Sequence, residues 1–179
     1  MSSRFERLEA HTVFEGAIVD VIEGEFRHED GEVVTRQWVA HPGSVAVVAH
    51  DGERLWLVRQ PREAIGAPDL LEIPAGKLDE EGEEPIETAK RELAEEIGKA
   101  AEHWEPLKSY WSSAGFTDEQ VHLFLATGIS DADEEPEVEH NERIDVETRP
   151  LAELDAVLAE TQDSKTLIAL ARLRERLGA

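Results

Sequence analysis

The segment from Gly76 to Gly98 leaves the chain few choices: a glycine-led loop must run into a helix whose last turns carry three carboxylates on one side. Pro85 is preorganised for the first helical position, with Glu83 and Glu84 beside the positive end of the helix dipole. Gly98 suits the left-handed residue that closes a helix. At about 100° per residue, Glu92 and Glu96 project roughly 40° apart, and Glu95 roughly 60° to the other side of Glu92. The opposite stripe, Ile86, Ala89, Leu93 and Ile97, is apolar and is predicted to face a core.

Like charges at this spacing destabilise a bare helix and raise one another's pKa values. A divalent cation removes the conflict, since Mg²⁺ takes hard oxygen ligands and completes its shell with water and substrate phosphate. The plain alternative is a solvated acidic face, because the whole chain has a net charge of −23. That charge argues against a nucleic-acid surface, which needs clustered Lys and Arg. It would also repel a phosphorylated substrate unless metal ions and a few arginines act locally.

The chain has 179 residues and no cysteine, so disulfides, thiolate metal sites and a cysteine nucleophile are out. One domain is expected over 1–179, with a β region at 1–42 and a core at 43–179. There is no apolar run of transmembrane length and no apolar stretch of signal-peptide type near Met1. A cytoplasmic protein without a membrane partner is the expectation.

Thr12 to Phe26 and Val33 to Val39 are β-prone, and Asp30-Gly31 between them is a hairpin signal. Ser44 to Ala49 is a nearly continuous apolar run, predicted to be a buried strand. Asp51-Gly52 turns it into Leu55 to Gln60, and Leu70 to Ile73 leads into Pro74-Ala75-Gly76. Leu107 to Trp111, Val121 to Ala126 and Ile144 to Thr148 are further strands, with an acidic loop over Asp131 to Glu142. Leu151 to Glu160 and Ser164 to Leu177 have helical periodicity, and Asp163 or Ser164 can cap the second. Strands and helices in this mixed order predict an α/β (α+β) layered fold rather than a doubly wound parallel sheet.

The run Glu83, seven residues, then Arg91-Glu92-Leu93-Ala94-Glu95-Glu96-Ile97-Gly98 resembles the Nudix box. There are two departures: six residues rather than five separate Gly76 from Glu83, and Lys99 replaces the last aliphatic position. The resemblance implies a mixed sheet between helices, preceded by an antiparallel N-terminal hairpin region, and attack of water on a substituted diphosphate. Beyond the box, His41 to Val48, Val58 to Arg62, Leu71 to Gly76 and Ser112 to Glu119 are similar to the ADP-ribose pyrophosphatase branch. Ala114 stands where that branch commonly has proline.

The resemblance assigns roles. Mg²⁺, with Mn²⁺ as the alternative, would be held by the Ala75 carbonyl, Glu92 and Glu96, with Glu95 joining for a further ion. Arg91 would brace the loop against Glu83. Arg62 would approach the diphosphate or terminal ribose, and Glu72 a substrate ribose or metal-held water. Gly115 and Phe116 lie in the downstream substrate segment. The general base would come from the acidic loop, Glu142 first and Glu139 second. Branch members are homodimers whose hairpins help build the partner's adenosine pocket, with Arg36 and Trp38 as the residues for that role. The implied activity is hydrolysis of ADP-ribose to AMP and ribose 5-phosphate. Other nucleoside diphosphate sugars, and a non-catalytic nucleotide-binding module, are the alternatives.

Overall fold

The computed structural model describes residues 4–133 and 143–178. They divide into two compact units, Met1–Gly43 with Trp111–Gln120, and Ser44–Tyr110 with Val121–Ala179. Strands are β1 (Phe5–Glu15), β2 (Asp20–His28), β3 (Val33–Ala40), β4 (Ser44–His50), β5 (Arg54–Arg62), β6 (Ala67–Glu72), β7 (Ala75–Lys77), β8 (Lys99–Trp111), β9 (Gln120–Asp131) and β10 (Asp145–Pro150). Helices are α1 (Pro85–Ile97), α2 (Leu154–Glu160) and α3 (Ser164–Leu177). Among the described residues, no helix is long and apolar enough to cross a membrane.

The first unit is a three-stranded antiparallel sheet in the order β1-β2-β3. The single β-prone stretch read from Thr12 to Phe26 is in fact two strands. Gly16 donates its N–H to the Val19 carbonyl at 3.1 Å and to Asp20 Oδ1 at 3.2 Å, and this turn separates them. The segment after Trp111 lies along β3, where Val39 N–H donates to the Phe116 carbonyl at 2.7 Å.

The second unit is a seven-stranded mixed sheet, ordered β10-β5-β4-β9-β8, with β6 on β5 and β7 on β4. β4 is antiparallel to β5 and parallel to β9. Strand side chains alternate between faces, and the alternation decides the layers. Val45, Val47 and Ala49 of β4 pack with Ala89, Leu93 and Ile97 of α1. Ala46 and Val48 pack with Leu154 and Val157 of α2 and Ala169, Leu170 and Leu173 of α3. Both faces of the sheet are therefore covered by helices, which explains why the strand is apolar at every position from Val45 to Ala49 rather than at every second one.

Candidate active site

α1 keeps the ends its sequence foretells. Pro85 opens it, and Gly98, at φ 64°, donates its N–H back to the Ala94 and Leu93 carbonyls. Its apolar stripe buries Ala89, Leu93 and Ile97, which turns the carboxylate side toward the loop that precedes the helix. That loop is more ordered than a plain connection. Ala75–Lys77 forms β7 and pairs antiparallel with Ser44–Ala46, and Val47 N–H donates to the Pro74 carbonyl at 2.8 Å.

The close contact is between Gly76 and Glu92. A Cβ on residue 76 would collide with the Glu92 carboxyl, so only glycine leaves room for it. Glu96 is buried and accepts from Ala75 N–H at 2.9 Å. Two of the three carboxylates are thus seated against the loop backbone. Glu95 is further out, and Arg91 Nη1 bonds it at 2.9 Å and Glu92 at 3.1 Å. Arg91 Nη2 also reaches Glu83 at 3.4 Å, so the arginine does brace the loop. Burial alone would lower the Arg91 pKa, but Glu83, Glu92 and Glu95 outweigh it and raise it above the ordinary arginine value. The buried Thr88 hydroxyl bonds Glu83 at 2.8 Å and, with Arg91, holds that carboxyl below its usual range.

Among the described residues no group of three or more His, Cys, Asp or Glu side chains is placed to hold a metal ion. The donor set nevertheless suits a hard divalent cation. Glu83, Glu92 and Glu95 lie around one guanidinium, that of Arg91, and the loop backbone at Ala75 adjoins Glu96. Mg²⁺ is held by one or two carboxylates with water and substrate phosphate, not by a full protein cage.

Arg62 and Glu72 meet in the same unit. Pro61 lies at a register shift between Gln60 and Arg62, where β5 has no N–H to offer the ladder. Beyond the shift Arg62 forks onto Glu72, Nε to Oε1 at 2.6 Å and Nη2 to Oε2 at 2.8 Å. Glu72 has no exposure, so it holds cations in the interior rather than facing open solvent. Its hydrogen bonds raise the Arg62 pKa above the ordinary value. Sequence reasoning missed a third member, Lys165, whose Nζ lies 3.4 Å from Glu72 Oε2. No local pattern could have revealed it, since 93 residues separate the two.

The remaining substrate candidates lie in the first unit and share one cavity of about 640 Å³. Arg36, Trp38, Gly115 and Phe116 line it, with Arg7 and Phe26, which the sequence did not single out. Trp38 Nε1 donates to Asp118 Oδ2 at 3.2 Å, and Asp118 Oδ1 also accepts from His41 N–H at 2.8 Å. Aromatic rings and guanidinium groups around one hollow suit a planar, anionic ligand. Glu139 and Glu142 lie outside the described residues.

Comparison with known proteins agrees with this geometry. The NUDIX domain profile matches residues 39–171. An ADP-ribose pyrophosphatase of Bacillus subtilis (strain 168) is 37% identical over 172 residues, covering 93% of this chain and 92% of its own. A methanol dehydrogenase activator of Bacillus methanolicus is 36% identical, with 97% and 96% covered. An ADP-ribose pyrophosphatase of Mycobacterium tuberculosis is 41% identical over 77% of this chain and 66% of that one. The crystal structure of an ADP compounds hydrolase has the same fold, with a TM-score of 0.83 over 98% of this chain and 95% of that one at 21% identity.

Proposed function

This chain belongs to the Nudix hydrolase family, and from that premise we propose that it hydrolyses ADP-ribose to AMP and ribose 5-phosphate with Mg²⁺. The observation that carries the reading is the seating of Glu92 and Glu96 against the Ala75-Gly76 backbone. Glu92, Glu96 and the Ala75 carbonyl, joined by Glu95, would hold the ion, which when bound supplies neutralising charge for the diphosphate and acidifies the attacking water. Arg91 keeps Glu92 and Glu95 in place through its own hydrogen bonds. Arg62 offers a guanidinium whose plane Glu72 fixes, and this geometry suits a diphosphate oxygen. Trp38 and Arg36 supply the stacking faces for adenine in the first-unit cavity. Glu142, with Glu139 second, is the general base, and Glu142→Gln is expected to lower kcat while leaving substrate affinity unchanged.

The chain acts as a homodimer through its N-terminal strands. Phe5, Val13, Phe14 and Ile18 are exposed there, and a second copy would cover them. Sedimentation at micromolar protein should give about twice the monomer mass; a stable, active monomer would remove this part of the reading.

One assay tests the activity: ADP-ribose, GDP-mannose, other nucleoside diphosphate sugars and dNTPs, each with Mg²⁺, Mn²⁺ or EDTA, with products identified. AMP and ribose 5-phosphate from ADP-ribose, lost with EDTA, are expected. Ala114 in place of the branch's proline favours a second reading, a broader sugar range, which the same panel detects. Hydrolysis of none would leave a nucleotide-binding module.

A further inference from the structure

Glu72, Arg62, Lys165 and Asp163 form a charge network at the point where β6 runs into the Ala75-Gly76 loop. Its backbone frame is tight. Thr161 Oγ1 donates to the Leu71 carbonyl at 2.7 Å, and Ile73 N–H donates to Thr166 Oγ1 at 2.9 Å. Asp163 caps α3 by accepting from Thr166 N–H at 2.8 Å, and takes Lys165 Nζ on its other oxygen at 2.9 Å. The start of α3 is thereby laced to the strand that delivers Glu72.

Lys165 is an odd choice for that place if stability alone were at stake. A cation in the first turn of a helix opposes the helix dipole, and its side chain is only 20% exposed. What it gains there is the buried Glu72 carboxylate. Arg62 and Lys165 balance Glu72 and Asp163, two cations against two carboxylates. Without the lysine, one guanidinium would face both carboxylates, with Glu96 acting on it as well. Arg62 spends Nε and Nη2 on Glu72, while Nη1 makes no hydrogen bond among the described residues and the side chain is 41% exposed.

We propose that Lys165 is a positioning residue for substrate binding: by sharing the charge of Glu72, it keeps the Arg62 fork in place and leaves the Nη1 edge of Arg62 to an anionic substrate oxygen. The inference rests on the ADP-ribose reading only for the identity of that anion. Lys165 itself touches no substrate and acts through Glu72.

The test compares Lys165→Met and Lys165→Arg with the wild type in three measurements. Calorimetric binding of α,β-methylene ADP-ribose and steady-state hydrolysis of ADP-ribose come first. In Lys165→Met, Kd and KM are expected to rise about tenfold with kcat within about twofold, and Lys165→Arg should recover most of the loss. In a Glu72→Gln background, Lys165→Met should add nothing, since the effect passes through Glu72. The third measurement is solvent exchange of the Arg62 Nε–H by ¹⁵N NMR, slow in the wild type and in Lys165→Arg, fast in Lys165→Met. An unchanged Kd, a fall in kcat at constant KM, or equal losses in both backgrounds would overturn the proposal. A wild type that neither binds the analogue nor cleaves ADP-ribose sinks the substrate reading alone; the Arg62 exchange then decides, and unchanged exchange in Lys165→Met refutes the positioning role. Should Lys165→Met not fold, Lys165→Gln takes its place in every comparison.

Discussion

β1 and β4 are both strands with apolar residues, yet every residue of β1 is exposed and six of the seven in β4 are buried. The difference lies in what each unit offers around the strand. β4 is central in a sheet with α1 against one face and α2 and α3 against the other. β1 is the edge of a three-stranded sheet in a unit without a helix, so Phe5 and Phe14 remain more than half exposed. Strand formation is therefore not what makes a core here; coverage is. The second unit holds the buried core and the carboxylate helix, and the first holds an aromatic hollow and an uncovered apolar edge.

The largest contrast should appear in catalysis. Glu92→Gln keeps the shape but removes a charged oxygen, and kcat/KM should fall about 10³-fold, about 4 kcal/mol of transition-state stabilisation. Circular dichroism should be unchanged; loss of fold instead would make Glu92 a packing residue. Next comes packing. Leu170, with no exposure, should cost about 2–5 kcal/mol when replaced by alanine, read from urea unfolding. Phe14→Ala, on the exposed edge of one copy, should stay within about 0.5 kcal/mol at protein concentrations low enough to separate the dimer. A large, concentration-dependent loss from Phe14→Ala would show that a second copy covers β1, which sharpens the comparison. Trp38→Ala should raise KM for ADP-ribose about tenfold with kcat little changed, because a stacking face belongs to binding.

The smallest effect separates two Asp-Gly turns. Asp51 accepts from Glu53 and Arg54 N–H and from the Arg54 side chain, whereas Asp30 accepts only from Glu32 N–H among the described residues. The Arg54 N–H bond leads in pulling the Asp51 carboxyl from 3.8 down to about 2. A depressed folded pKa adds stability above the unfolded value, and that stability is lost as pH falls through the folded one. The gap between wild type and Asp51→Ala, under about 1 kcal/mol, should be full above pH 4 and close toward pH 2. Thermal melts across that range check it; Asp30→Ala should show a smaller gap.

Legibility in the sequence follows the range of the signal. Pro85, Gly98 and the four-residue apolar spacing are local, and they located α1 to the residue. The Asp163 cap of α3 is equally local. The break at Gly16 was hidden because Ala17, Ile18 and Val19 look like strand, and only the Gly16–Val19 hydrogen bond makes them a turn. The Ala75–Lys77 strand was hidden because its pairing partner is β4, some thirty residues earlier. The carboxylate set could be read from one helix face, but the Glu72–Lys165 contact depends on tertiary folding alone. No local pattern shows which unit each substrate candidate joins: Arg62 and Glu72 fall in one, Arg36, Trp38, Gly115 and Phe116 in the other.

Gly76 carries a consequence for engineering. Its missing side chain is the space that the Glu92 carboxyl occupies. Adding one methyl group there, on the carboxylate side of α1 and away from its buried Ala89, Leu93 and Ile97 stripe, would dislodge a single acid and leave the hydrophobic layers alone. Gly76→Ala is thus the smallest chemical edit that separates being folded from being competent. Such a protein would be a ready tool for capturing uncleaved ligand.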